Sequence, residues 1–214
     1  MYHVKEAFYT LQGEGARAGR ASVFCRFSGC NLWSGREQDR ATSVCQFCDT
    51  DFVGTDGPGG GRFSSADALA DHLLGQWPAR SHGATPYVVF TGGEPLLQLD
   101  TALIEAMHAR GFEIAVETNG TLAPPPGIDW LCVSPKGASR LAVTGGDELK
   151  LVYPQSAAPP ERFAELDFQH FYLQPMDLAP QGRDGTTLEA TLAYCLATPR
   201  WQLSLQTHKI AGFA

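Results

Sequence analysis

YVVFTGGEPLLQLDTALIEAMHARGFEIAVETNG, residues 87–120, reads as a strand, a turn, a helix and a second strand. YVVF (87–90) and the centre of EIAVE (113–117) are continuously apolar rather than alternating, as strands covered on both faces of a parallel sheet are. Between them, residues 101–110 carry helical spacing, with Asp100 placed to cap the start and Gly111 to stop the end. A strand, a helix and a strand in this order make parallel neighbours.

The same grammar recurs on either side. Apolar runs bounded by turn residues stand at VFCRF (23–27), WLCVS (130–134), LKLVY (149–153), FYLQ (171–174) and WQLSL (201–205). Further helical patterns cover 66–77 behind Ser64 and Ser65, and 188–197 behind Thr186 and Thr187. The links after EIAVE and WLCVS are short or rich in Gly and Pro (TLAPPPG, PKGASR), which leaves too little chain for eight β/α units. The expected fold is α/β: a partial, open, TIM-like β/α barrel with about six strands and three main helices. VGTDGPGGGRF (53–63) reads as loop, and with no internal repeat the 214 residues are expected to form one domain.

Composition narrows the function classes. With 16 Lys and Arg against 23 Asp and Glu, the net charge of −7 lacks the basic excess of a nucleic-acid binder. At 43% hydrophobic and 18% charged residues, the chain can bury a core. Gly (23) and Pro (14) are frequent, so specialised loops are expected to carry function. Lys5 and Glu6 interrupt what would be the apolar core of a signal peptide, and no run of eighteen apolar residues occurs. A cytoplasmic protein with no membrane partner is expected. Six cysteines in a reducing compartment point to metal rather than disulfides.

Cys30, Cys45 and Cys48 are spaced C-x14-C-x2-C on the loop after the first strong strand. Three thiolates are one short of a closed structural zinc site or an ordinary iron–sulfur cluster. Two readings stand at this point: a [4Fe-4S] cluster with one iron open to a bound molecule, or a zinc knuckle completed by Cys25 or a histidine. Cys25, Cys132 and Cys195 otherwise read as core. Of the histidines, His3, His72, His82, His108 and His170 show no partner pattern, whereas His208 stands beside Lys209 just past the last strand.

Four polar segments fall where strands end: TGGEP (91–95), ETNG (117–120), SPK (134–136) and QPMD (174–177). Ligands of α/β sheets bind at those ends, so the four point to one extended cofactor. Together with the cysteines they resemble the radical S-adenosylmethionine (SAM) superfamily. The first cysteine gap departs from that superfamily's C-x3-C-x2-C, but lengthening it adds only about 1.4 kcal/mol of closure cost, small beside the ~10 kcal/mol scale of multi-thiolate binding. LQGEG near the N-terminus, the expanded cysteine loop ending in CDT, and HK near the C-terminus resemble the 7-carboxy-7-deazaguanine synthase family across essentially the whole chain.

The resemblance implies a radical SAM lyase that contracts 6-carboxy-5,6,7,8-tetrahydropterin to 7-carboxy-7-deazaguanine with loss of ammonia, using SAM as a reusable cofactor. It implies one radical SAM domain, residues 1–214, with an expanded cluster loop at 30–63. Cys30, Cys45 and Cys48 would hold the [4Fe-4S] cluster and Thr50 a Mg2+ ion. SAM would be bound by Gly92, Gly93, Glu94, Glu117, Asn119, Ser134, Pro135, Lys136, Gln174, Pro175, Met176 and Asp177. For the pterin, Gln12, Gly13 and Glu14 offer an amide, backbone and a carboxylate to the 2-amino-4-oxo ring. Arg26 offers a forked cation to its carboxylate, and Thr91 a further hydrogen bond. His208 and the terminal carboxylate of Ala214 would close the site. The family also implies a flavodoxin-type electron donor and a homodimer. The competing functions are a glycyl-radical activating enzyme, which shares the cluster and GGEP, and a non-enzymatic zinc-knuckle module.

Overall fold

The computed structural model describes residues 1–78, 83–179 and 187–213. The opening stretch folds as its pattern dictates. A strand at Tyr87–Gly92, buried over its first five residues, leads through a 3-10 turn at Pro95–Leu97 into a helix at Thr101–His108 and a parallel strand at Glu113–Thr118. Asp100 caps the helix by accepting from the Leu103 N–H at 2.9 Å, and Gly111 leaves it with φ of 79°.

Among the described residues nine strands form one open sheet: β1 (Tyr2–Leu11), β2 (Ala21–Phe27), β3 (Gly61–Phe63), β4 (Tyr87–Gly92), β5 (Glu113–Thr118), β6 (Trp130–Val133), β7 (Gly145–Tyr153), β8 (Asp167–Pro175) and β9 (Gln202–Leu203). Their order is β3-β1-β2-β4-β5-β6-β7-β8-β9. From β2 to β9 every neighbour is parallel, while β1 and β3 add antiparallel. Four helices accompany them: α1 (Ala66–Gln76), α2 (Thr101–His108), α3 (Leu188–Ala197) and α4 (Thr207–Ala211).

The expected counts of about six strands and three helices are therefore corrected to nine and four. β1 escapes a periodicity reading because its register shifts between Val4 and Glu6, so the alternation of buried residues breaks at Lys5. β3 lies in the glycine-rich loop reading of 53–63, and three residues pairing with Tyr2–Val4 are too few to leave a pattern. α4 is a single short turn of helix. Thr187 precedes α3 but does not cap it; its hydroxyl accepts from Met176 N–H and donates to the Tyr153 carbonyl, both at 2.7 Å, tying the ends of β7 and β8. Thr186 and His82 lie outside the described residues.

One core forms where α1 and α2 cover β1, β2, β4 and β5, with Leu69, Leu73, Leu103 and Met107 against Phe27, Phe90 and Ile114. Each such side chain contributes about 1.5–3 kcal/mol by leaving water. A second core, around Leu149, Leu151, Phe171, Leu173 and Trp201, sits under β7, β8 and α3. The two cores hold the carboxyl ends of β4 to β8 on one rim, where the polar segments gather.

Candidate active site

A cavity of about 450 Å3 opens on that rim. Gln12, Gly13, Glu14, Arg26, Thr91 and His208 line it, as do Cys48 and Thr50 from the cysteine loop. Of the residues expected to hold SAM, Gly92, Gly93, Glu117, Asn119, Ser134, Lys136, Gln174, Pro175 and Asp177 also line it. Glu94, Pro135 and Met176 do not, and Ala214 lies outside the described residues.

The floor is built on Glu14. Its Oε2 lies 2.6 Å from Lys150 Nζ, and its Oε1 accepts from Gln174 Nε2 at 3.1 Å and Gln206 Nε2 at 3.0 Å. Lys150 also reaches Glu117 Oε1 at 3.3 Å, which Gln12 Nε2 joins at 2.9 Å. Burial pushes the Glu14 carboxyl upward, but Lys150 and the amide donors outweigh it and hold the group at about 2. Lys150, penalised by burial, is raised by Glu117 and Glu14. Close packing sets the turn: a Cβ on Gly13 would run into the His208 ring, and one on Gly15, at φ of 65°, into the Glu148 carboxylate. Thr207 fixes α4 to this turn by donating its N–H and hydroxyl to the Gly13 carbonyl, at 3.0 and 2.8 Å.

Arg26 stands opposite Thr91 across the β2/β4 ladder, and its Nε donates to Glu6 Oε1 at 2.7 Å. Phe8, Phe24 and Phe47 give the cavity its apolar wall. Cys25, on the other side of β2, is fully buried in the core, which removes it as a partner for the three loop cysteines. Cys132 is likewise buried, and Cys195 packs against the second core.

The long gap between Cys30 and Cys45 folds on itself. Trp33 packs edge-on against Phe52 with centroids 5.5 Å apart, under the Arg40 guanidinium at 4.1 Å. Arg40 then donates to the carbonyls of Gln46 and Cys48, at 3.2 and 3.0 Å. The Cys45 thiol donates to Cys48, which holds Cys48 below the usual thiol range at about 6 and moves Cys45 the other way. None of the three is in a disulfide. The strand-end glycines lie directly against this loop: Gly93 N–H donates to Phe27 O at 3.3 Å and Glu94 N–H to Gly29 O at 2.9 Å. Of the three free loop thiols Cys48 lines the cavity, while Cys45 is buried and Cys30 half-buried in the loop outside its lining; as a donor set, three thiols one short of a closed site fit a cluster with one iron left open.

The remaining expected residues serve the walls. Glu94 is buried and accepts from Thr118 Oγ1, Asn119 N–H and Leu96 N–H, at 2.7, 2.8 and 3.0 Å; burial nonetheless raises its carboxyl. Asn119 donates to Asn31 beside Cys30 at 2.9 Å, and Lys136 to Ser134 Oγ at 2.6 Å. The Pro135 carbonyl accepts from Gln155, and the Met176 N–H donates to Tyr153 O. Asp177 pairs with Lys209 at 2.7 Å, which also pairs with Asp49 at 2.6 Å. Asp51 pairs with Lys5 at 3.0 Å.

Sequence reasoning missed Lys150 and Gln206, and singled out Lys209 only as His208's neighbour. Lys150 had a signal, because a lysine inside LKLVY, a run expected to be covered on both faces, requires carboxylate partners. Gln206 had none, since its role depends on α4 folding back onto the turn at Gly13, and the HK segment marked Lys209 without showing its pairing with Asp49 and Asp177.

The sequential parallel sheet, the three-cysteine loop and the glycines pressed against it together place the chain in the radical SAM class of enzymes. No family model matches the chain. It is 64% identical over 211 residues to the 7-carboxy-7-deazaguanine synthase of Bordetella pertussis, covering 99% of this chain and 98% of that protein. The Bacteroides thetaiotaomicron protein of the same name is 37% identical over 210 residues, covering 98% and 97%. The crystal structure of QueE from Escherichia coli superposes with a TM-score of 0.67 at 26% identity, covering 97% of this chain and 94% of that one. The chain belongs to the 7-carboxy-7-deazaguanine synthase family.

Proposed function

We propose that this chain converts 6-carboxy-5,6,7,8-tetrahydropterin to 7-carboxy-7-deazaguanine and ammonia. One observation carries the reading: a single cavity is bounded on one side by the cysteine loop and strand-end glycines, and on the other by the Gln12–Gly13–Glu14 turn with its ionised carboxylate. When bound, the [4Fe-4S] cluster and SAM supply a 5′-deoxyadenosyl radical that takes a hydrogen atom from the substrate. Cys30, Cys45 and Cys48 would hold the cluster. Gly92 and Gly93 let backbone approach the methionine end of SAM, and Asn119, Ser134, Lys136, Gln174 and Asp177 offer polar contacts to the rest of it, whereas Glu117, expected among them, is tied to Lys150 and Gln12 on the floor beside Glu14 and turns to the pterin instead. Glu94 supports this set from below, with Pro135 and Met176 in the loops behind.

Glu14 accepts from the N–H groups of the 2-amino-4-oxo ring and Gln12 fixes the turn beside it. Arg26 turns its free guanidinium edge to the substrate carboxylate, while Thr91 adds a hydrogen bond. Phe8, Phe24 and Phe47 exclude water from the reacting face. His208, from α4, covers the ring from the Gly13 side.

Product and ammonia together account for every atom of the substrate, so the hydrogen taken can be returned and SAM reused. Measured over many turnovers, 5′-deoxyadenosine is expected to stay far below one equivalent per product. One equivalent per product would instead match a glycyl-radical activating enzyme.

Thr50 lines the cavity two residues past Cys48. Its hydroxyl and the substrate carboxylate are hard oxygen donors of the kind Mg2+ takes, with waters retained. Thr50→Val, nearly isosteric, is expected to lose Mg2+ stimulation of turnover while iron content stays at the wild-type level. Turnover that remains equally Mg2+-dependent would place the ion elsewhere.

The family resemblance supports three further proposals: a flavodoxin-type electron donor, a homodimer and a cytoplasmic location. No helix among the described residues is long and apolar enough to cross a membrane. The sheet is read as an incomplete β/α barrel within one domain, whose cluster loop at 30–63 closes on β3.

A further inference from the structure

We propose that Lys150 is a positioning residue whose ammonium keeps Glu14 and Glu117 side by side as two ionised acceptors for the donor edge of the bound heterocycle. The inference rests on the reading of this cavity as a pterin site. Lys150 lies in β7 between Leu149 and Leu151, which point into the second core, and its own side chain is turned to the cavity. It is 4% exposed. An ammonium that far from water is tolerated only when paired, and both of its partners are carboxylates from other elements: Glu14 from the turn after β1, and Glu117 from β5.

The other donors to this pair are neutral amides, Gln12 to Glu117 and Gln174 and Gln206 to Glu14. Among the described residues the other charged or titratable groups around it are Glu148 from β7, Cys132 from β6, Tyr172 from β8, which stands beside Lys150 in the ladder, and His208 from α4. Burial raises the carboxyl of Glu148, which biases it toward the neutral form, and raises the Cys132 thiol as well. Lys150 is thus the cation shared by Glu14 and Glu117. Without that cation two carboxylates that both reach the Lys150 position repel one another, which favours a proton on one of them and moves the pair's titration upward. A protonated carboxyl would turn an O–H donor toward the N–H donors of the ring, so substrate recognition would become pH-dependent where it was not.

The test measures binding of fluorescent 6-carboxypterin to reconstituted enzyme with saturating SAM, between pH 6 and pH 8. The ratio of variant to wild-type Kd is read at each pH. For Lys150→Met the ratio is expected to fall by about tenfold from pH 6 to pH 8 as the shared proton leaves, with iron content unchanged. Lys150→Arg, which keeps the charge, is expected to give a flat ratio. Lys150→Met with Glu117→Gln, which leaves one carboxylate, is expected to flatten it again. If Lys150→Met does not fold, Lys150→Gln carries the same expectation. A ratio for the uncharged variant that is constant across pH would reduce Lys150 to a structural role and overturn the inference. Wild-type enzyme that binds no pterin at any pH would remove the substrate reading itself, and the inference with it.

Discussion

Cys45→Ala protein, reconstituted anaerobically, is expected to bind little iron and to lose turnover by more than about 100-fold, because even the outer partners of metal ligands are worth roughly 10- to 100-fold. The same result is expected for Cys30→Ala and Cys48→Ala. With three thiolates available there is no spare ligand, since Cys25 faces the core across β2 and cannot swing to the loop. Cys132→Ala and Cys195→Ala serve as controls. Cys132 sits in β6 beneath the cavity floor, and Cys195 in α3 against the second core. Both variants are expected to keep their iron, with a modest loss of stability from the vacated volume. Iron content and SAM cleavage at wild-type levels in Cys45→Ala would overturn the cluster assignment.

Gly93→Ala is expected to damage the cluster without touching a ligand. A Cβ at this position would run into the Gly29 carbonyl oxygen and lie 2.8 Å from Cys30 Cβ. The obstacle is backbone, which cannot rotate aside. Either the strand end or the Gly29–Cys30 segment must move, and overpacking of this kind costs about 1–3 kcal/mol or more. Moving Cys30 misplaces one of three ligands, so iron content and Tm are expected to fall together. Gly75→Ala is the control, since a Cβ there meets nothing within 4 Å. Wild-type iron content in Gly93→Ala would show that the strand-end glycines do not set the cysteine loop.

What the sequence made legible follows from the range of the interactions involved. α1 to α3 carry local signals, and the caps at Ser65 and Asp100 stand where their side chains predict. The seven apolar runs each hold a strand, and where both faces are covered, as over residues 87–91 of β4, burial leaves a contiguous signature. β1 did not, since the bulge at Lys5 breaks its alternation and its pairing with β2 is a long-range fact. The cysteine spacing and the strand-end motifs identified the rim of the site. Its floor was less visible: Glu14 was read as an acceptor, but the lysine that keeps it ionised lies 136 residues away and is met only in the folded sheet. Glu94 shows the opposite case, because its motif was legible while its buried position under Asn119 was not.

The most direct measurement incubates the reconstituted wild-type enzyme anaerobically with SAM, Mg2+, a one-electron reductant and 6-carboxy-5,6,7,8-tetrahydropterin, then identifies the products by mass. The account predicts 7-carboxy-7-deazaguanine and one ammonia for each pterin consumed. Enzyme that carries its cluster and binds SAM, yet returns the pterin unchanged, would contradict it.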